Sequence, residues 1–211
     1  MILAAGRGER MRPLTDATPK PLIPVAGETM LDRAMARLAA HGVRTVVVNV
    51  HHLGEQIADH LGSRARIVRE ERLLETGGSV KNALPLLGDG PSPMLSRMEA
   101  AWDPSRMDAL LLLHPLATAI GREAKDRGDY FLDADGRAHH RAAAAAAPYL
   151  FASVSVCDSR LFQESPDGRF SLLKLWTRAE ASGRLFGLVH DGAWFHVGTP
   201  QALAEAEKVL R

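Results

Sequence analysis

Residues 1–22 read MILAAGRGERMRPLTDATPKPL: an apolar start, then a loop crowded with cations, glycine and proline. The start, residues 1–5, has the composition of a short buried strand. Gly6 and Gly8 follow where an α/β sheet opens its ligand crevice, at a strand C-terminus. Glycine there lets backbone N–H groups come close to phosphate oxygens. Arg10, Arg12 and Lys20 sit on a segment whose Pro13, Pro19, Pro21 and Pro24 stiffen the backbone. Fixed cations beside glycine amides suit a polyphosphate, in which charge on a reacting phosphoryl group has to be stabilised. The loop is not a Walker A motif, because no Gly-Lys-Ser/Thr follows. It is also a poor dinucleotide fingerprint: the third glycine is missing, and Arg10 and Arg12 would crowd a nicotinamide pyrophosphate. A surface loop with solvated arginines is the remaining alternative.

Outward from this loop, strand and helix patterns alternate. Residues 29–40 place Met30, Leu31, Ala34, Met35, Leu38 and Ala39 at helical spacing, with Gly42 as the stop. Residues 44–50 (RTVVVNV) are a continuous β-branched run, the pattern of a parallel strand covered on both faces. A helix over 53–61, a strand over 65–69 and a helix over 78–87 complete a doubly wound half-sheet. The second half is less regular. Strands are expected over 109–114 and 149–156, a hairpin around Asp133–Gly136, and a helix over 170–182. Strands over 185–190 and 193–197 should pair around Asp191 and Gly192. Thr199 and Pro200 then supply an N-cap hydroxyl and an N1 proline for a last helix. The expected class is α/β: a doubly wound, mixed but mostly parallel, Rossmann-like sheet with a small β-rich part. One domain, 1–211, is expected, with halves at 1–115 and 116–211.

Composition narrows the function classes. The formal net charge is +1, so no whole-protein field selects nucleic acid or an anionic membrane, and an anion site has to be a local cluster. Cys157 is the only cysteine, which excludes an intrachain disulfide and a cysteine-based metal site. No uncharged run reaches the ~20 apolar residues of a membrane helix, and residues 1–5 are too short for a signal-peptide core. These features lead to the expectation of a soluble, cytoplasmic domain that acts on small molecules.

The stretch LAAGRGERMRPLTDATPKPL, residues 3–22, closely resembles the signature of the sugar-1-phosphate nucleotidylyltransferases. The resemblance continues through PVAG (24–27), VVVNVHHLGEQI (46–57), LLETGGSVKNALPLLGD (73–89) and WFHVGTP (194–200). It implies that a sugar 1-phosphate attacks the α-phosphorus of a nucleoside triphosphate and pyrophosphate leaves. With the short chain, the LETGG motif and the lack of a C-terminal β-helix, the resemblance further implies UTP and N-acetylmuramate 1-phosphate, in peptidoglycan recycling. Guanylyl transfer to mannose 1-phosphate and an inactive nucleotide-sugar-binding paralogue are the alternatives. By motif, Ala4, Ala5, Gly6 and Gly8 hold the nucleotide phosphates. Arg10 and Lys20 are catalytic cations, Arg10 neutralising developing charge and Lys20 holding the phosphate in line. Glu75, Thr76, Gly77 and Gly78 receive the base, with Gly77 and Gly78 leaving room for a flat ring. Gly128 and Asp129 belong to the sugar-phosphate side. Asn49 and His51 end a strand at the same crevice edge, where a structural role is as good a reading as a functional one.

Two departures from the family pattern concern the expected Mg²⁺. The pattern calls for an apolar strand ending in an acidic metal ligand after LLGD, but GDGP runs into the polar SPMLSRMEAAWDPSRMD. About ten or more residues, carrying that strand and that aspartate, are therefore expected to be missing between Gly88 and Ser96. The second metal aspartate of the pattern is replaced by His196, and imidazole is a poor partner for Mg²⁺.

Overall fold

The structure is a computed structural model, and it describes residues 1–87, 96–141 and 146–210. The expected missing strand, between Gly88 and Ser96, falls on residues 88–95, outside the described residues.

The elements follow in chain order. They are β1 (Ile2–Leu3), β2 (Pro24–Val25), β3 (Glu28–Thr29), α1 (Met30–Ala40), β4 (Val47–Val50), α2 (Gly54–Leu61), β5 (Arg66–Arg69) and α3 (Glu75–Leu87). Then come α4 (Ser96–Ala101), β6 (Ala109–Pro115), β7 (Tyr130–Leu132), β8 (Ala138–His140), β9 (Tyr149–Cys157), α5 (Leu172–Ala181), β10 (Leu185–Val189) and α6 (Pro200–Leu210). The chain divides into two compact units. The first comprises Met1–Leu95, Pro166–Leu172 and Val197–Arg211; the second comprises Ser96–Ser165 and Leu173–His196.

In the first unit, β1, β4 and β5 form a parallel sheet in the order β1-β4-β5, with Leu3 opposite Asn49 and Asn49 opposite Val68. Crossovers α1 and α2 make this the parallel βαβ pattern expected from residues 29–69. All four residues of β4 are buried, which is what its β-branched composition requires of a strand covered on both faces. Leu31, Val48, Val50, Ile57 and Leu61 gather around it as the core. Thr29 caps α1, its hydroxyl accepting from the Asp32 amide at 3.0 Å. The Asp32 carboxylate in turn receives His60 and Arg64, each at 2.8 Å, and so links α1 to α2. Thr199 caps α6 in the same way, accepting from the Ala202 amide at 3.2 Å.

In the second unit, the described strands form a mixed sheet in the order β10-β6-β9-β7-β8. Here β10 runs parallel to β6, while β6–β9, β9–β7 and β7–β8 are antiparallel. The β7–β8 hairpin forms where Asp133–Gly136 was read as its turn. The expected pairing of residues 193–197 with β10 does not form. Instead β10 pairs with β6, and Phe195 makes a single bridge to Ile120. β6 is buried almost throughout and pairs with the whole length of β10, from Leu185 opposite Ala109 to Val189 opposite Leu113.

Candidate functional site

The loop after β1 is held in one shape by its own residues. Gly8 has φ +64, and a Cβ there would lie 2.8 Å from Thr15 Cγ2 and 3.1 Å from Lys20 Cβ. Both the conformation and the crowding therefore demand glycine. Its carbonyl accepts from the Met11 amide at 2.8 Å and from the buried Thr15 hydroxyl at 2.9 Å. Gly6 faces open space, with nothing within 4 Å of an added Cβ. A turn of 3-10 helix at Glu9–Met11 then presents Arg10, and a second at Lys20–Leu22 presents Lys20.

These pieces border an open cleft of about 450 Å³ whose lining includes Arg7, Gly8, Glu9, Arg10, Lys20 and Gly198. Burial, and then the charge of Arg10, push the Lys20 ammonium below its ordinary value. The two cations act on each other across one cleft, and an anion bound there is attracted by both. The two residues read as catalytic are thus brought together, on the glycine loop that carries them.

The second loop, LETGG, opens α3. Glu75 stands at φ +59, a conformation rare for a side-chain-bearing residue, and one of its oxygens takes both Nε and Nη2 of Arg169 at 2.7 Å. The Thr76 hydroxyl accepts from the Leu172 amide at 2.9 Å. The Gly77 and Gly78 amides both donate to the Phe170 carbonyl, at 2.9 and 3.1 Å, and the Phe170 amide donates back to Leu74 O at 3.0 Å. A Cβ on Gly77 would lie 2.3 Å from the Phe170 ring, and one on Gly78 would lie 2.2 Å from Gly168 O. This corrects the sequence reading of these glycines as leaving room for a flat base. The room is filled by residues 168–170, which cap the α3 N-terminus.

Sequence reasoning missed Glu70, which looks like part of a solvated charge run, REER. It is 6% exposed and joins Asn49, which is 1% exposed. Asn49 Oδ1 accepts from the Ala4 amide at 2.8 Å, and its Nδ2 donates to Glu70 Oε1 at 2.8 Å. Glu70 Oε2 accepts from the Leu74 amide at 3.2 Å. His51 Nδ1 lies 2.8 Å from Glu70 O. The available signal was a buried polar residue at a strand end, which obliges some neighbour to answer it.

In the second unit, Gly128 and Asp129 lead into β7 at the open end of the β7–β8 hairpin, where the Asp129 amide donates to Tyr149 O at 2.6 Å. Gly128 has φ +70, and an added Cβ would lie 2.0 Å from Ala147 O. Asp129 Oδ2 accepts from the Phe151 amide at 2.9 Å, and the Gly128 carbonyl accepts from Arg141. His196 packs its ring on Trp194, centroids 5.7 Å apart, while its amide donates to Ile120 O at 2.8 Å. Trp194 in turn packs against the buried His114, whose Nδ1 is 3.3 Å from His190 Nδ1. Burial lowers the His114 pKa, with the charge of His190 adding to the effect. Among the described residues, no group of three or more histidine, cysteine or acidic side chains is placed to hold a metal ion.

Comparison with known proteins agrees with the fold and with the loops. The family model described as "Nucleotidyl transferase" matches residues 1–95. The N-acetylmuramate alpha-1-phosphate uridylyltransferase of Caulobacter vibrioides is 41% identical over 233 aligned positions, covering 100% of this chain and 96% of that protein. The protein of the same name from Neisseria meningitidis serogroup B is 34% identical over 223 positions, covering 98% and 96%. Among solved structures, a putative glucose-1-phosphate thymidylyltransferase from Bacillus anthracis superposes with a TM-score of 0.80 at 17% identity, over 99% of this chain and 93% of that one. HddC from Yersinia pseudotuberculosis gives 0.77 at 18%, over 99% and 97%. The Caulobacter alignment is longer than this chain, so the relative carries residues that have no counterpart here. Identity sustained along nearly the whole of two relatives, together with the glycine loop and its paired cations, means that the chain belongs to the nucleotidyl transferase family.

Proposed function

We propose that this protein joins UTP to N-acetylmuramate α-1-phosphate, giving the UDP-sugar and pyrophosphate. The observation that carries the reading is the convergence of Arg10 and Lys20 on the cleft of the glycine loop. The printed names of the two full-length relatives supply the base and the sugar.

In the reaction, a phosphate oxygen of the sugar 1-phosphate attacks the α-phosphorus. The bond from that phosphorus to the bridging oxygen breaks, and pyrophosphate leaves with its electrons. Negative charge spreads over the α-phosphoryl oxygens on the way, and fixed cations favour that state over the starting one. Arg10 is assigned to this charge. Lys20 is assigned to holding the incoming phosphate in line. Backbone amides of residues 5–8 are assigned to the remaining phosphates, with the open face of Gly6 giving access, while the Ala4 amide, expected from the motif to join them, is taken by Asn49 Oδ1 at 2.8 Å. Glu75, Thr76, Gly77 and Gly78 serve the base side by fixing the loop edge through their bonds to residues 169–172. Gly128 and Asp129 serve the sugar side by tying the open end of the β7–β8 hairpin to β9.

Mg²⁺ is implied by the family resemblance, but the described residues do not fit it as a protein-held ion. His196 is an imidazole packed on Trp194, and among the described residues no acidic cluster is assembled. No step is therefore routed through a protein-bound metal. On this reading the protein draws on cytoplasmic UTP and works in peptidoglycan recycling.

The test is pyrophosphate release from each of the four nucleoside triphosphates, with N-acetylmuramate α-1-phosphate and with mannose 1-phosphate, in buffer containing Mg²⁺. Release with UTP and the first sugar is expected. Release only with GTP and mannose 1-phosphate overturns the substrate assignment. UTP binding without release under any pairing makes the protein a non-catalytic nucleotide binder.

A further inference from the structure

The two loops that act on one nucleotide hang from strands that do not touch. In the order β1-β4-β5, the first loop leaves β1, the second follows β5, and β4 stands between them. Strands two places apart are ~10 Å from each other. Their backbones cannot set each other's position by direct hydrogen bonds, so the spacing of the loops has to be fixed across β4.

Two buried side chains span the gap. The relay runs from the Ala4 amide to Asn49 Oδ1 at 2.8 Å, from Asn49 Nδ2 to Glu70 Oε1 at 2.8 Å, and from the Leu74 amide to Glu70 Oε2 at 3.2 Å. Ala4 is the root of the glycine loop, and Leu74 is the first residue of LETGG. We propose that Asn49 and Glu70 are positioning residues for the nucleotide: they form a strut that sets the distance between its phosphate loop and its base loop. The proposal rests on the reading of these loops as a nucleotide site.

The residue types carry the argument. Both ends of the relay are backbone N–H groups, which can only donate. The two side chains between them must therefore accept at both ends and make a donor–acceptor pair in the middle. One amide and one carboxylate meet all three demands. Two amides always leave one donor facing another, whichever way each is turned. Two carboxylates place two anions in buried contact. The order, however, is free: a carboxylate at 49 and an amide at 70 satisfy the same three bonds, with the middle one reversed.

That freedom supplies the test. The full-length protein, Glu70→Gln and the double variant Asn49→Asp/Glu70→Gln are titrated calorimetrically with UTP, well below each thermal midpoint. The KM for the sugar 1-phosphate is measured alongside. Glu70→Gln is expected to weaken UTP at least about tenfold, the scale of one buried donor left unmet. Its sugar-phosphate KM is expected to stay within about twofold of wild type, a split that general loss of stability would not produce. The double variant is expected to restore UTP affinity to within about threefold of wild type. Wild-type UTP affinity in Glu70→Gln overturns the strut, as does a double variant that binds no better than the single. Should Glu70→Gln fail to fold, the double variant still decides, because the strut requires it to fold and bind. Wild-type protein that does not bind UTP overturns the nucleotide reading itself, and the strut with it.

Discussion

Replacing Gly77 with alanine puts one methyl group where the Phe170 ring already lies. The added Cβ would sit 2.3 and 2.5 Å from two ring carbons and 2.9 Å from the Phe170 carbonyl oxygen. Ordinary carbon contacts begin near 3.5 Å, so the ring has to retreat by about 1 Å. It has little freedom to do so. Phe170 is buried, and its carbonyl is tied to the Gly77 and Gly78 amides. Overpacking of this kind costs about 1–3 kcal/mol. Alanine is a better helix former than glycine by up to about 1 kcal/mol, less in the first turn of α3, which offsets part of that cost. A net loss of about 1–2 kcal/mol lowers the thermal midpoint by about 2–8 °C for a chain of this size.

Scanning calorimetry reads the midpoint, and a double-mutant cycle with Phe170→Ala isolates the cause. Removing the ring should relieve the alanine, so the double variant should lose less than the two singles together, by about 1 kcal/mol. Gly78→Ala should be worse than Gly77→Ala, because its Cβ meets the backbone oxygen of Gly168, which no rotamer change can move. An unchanged or raised midpoint for Gly77→Ala, or strict additivity with Phe170→Ala, would refute the packing account. Lost UTP affinity with an unchanged midpoint would restore the reading of Gly77 as room for a base.

Arg10→Ala and Lys20→Ala should each lower kcat/KM at least about a hundredfold with the midpoint unchanged, the scale of one removed transition-state donor; activity within threefold of wild type would reject the loop as the reaction centre. Lys20 acts as a cation and its pKa is lowered, so kcat/KM should fall with rising pH earlier than an ordinary lysine would allow, and Lys20→Arg should move that alkaline limb upward. The Asp32 carboxyl is held down to about 2, first by the Thr29 hydroxyl and then by Arg64 and His60. Its stabilisation is therefore present above its ordinary value of 3.8 and lost as pH falls toward 2, so the unfolding free energies of wild type and Asp32→Asn from urea denaturation should differ by on the order of 1 kcal/mol at neutral pH and converge in acid. Thr199→Ala should cost about 1 kcal/mol through the lost α6 cap, read by the same denaturation, and Thr199→Ser should restore it.

What was legible in the sequence was whatever a local rule decides. Periodicity and caps placed α1, α2, α3 and α6 to within a few residues, because Thr29 and Thr199 meet the first amides of their own helices. The β-branched run placed β4, and the glycine–cation loop announced its chemistry because its glycines and its charges stand within fifteen residues of one another. The strand pairing around Asp191 failed for the opposite reason. A turn signal shows that the chain can reverse there, but whether it does depends on the partner that β6 offers to β10, and β6 lies about eighty residues upstream.

The glycines of LETGG mark the limit more sharply. A glycine states only that a side chain would not fit, and it does not state what occupies the space. A ligand and a distant piece of the same chain leave the same mark on the sequence, and here residues 168–170 fill the place that a base was expected to take. Glu70 is the converse case, since a carboxylate beside Glu71 and Arg72 has the composition of a solvated surface run. Its burial becomes a requirement only once Asn49 is known to face it across the sheet, with one backbone donor beyond each of them. The demand for one amide and one carboxylate then belongs to the pair. Positions 49 and 70 constrain each other while neither is fixed alone, so a sequence read one residue at a time cannot display the constraint.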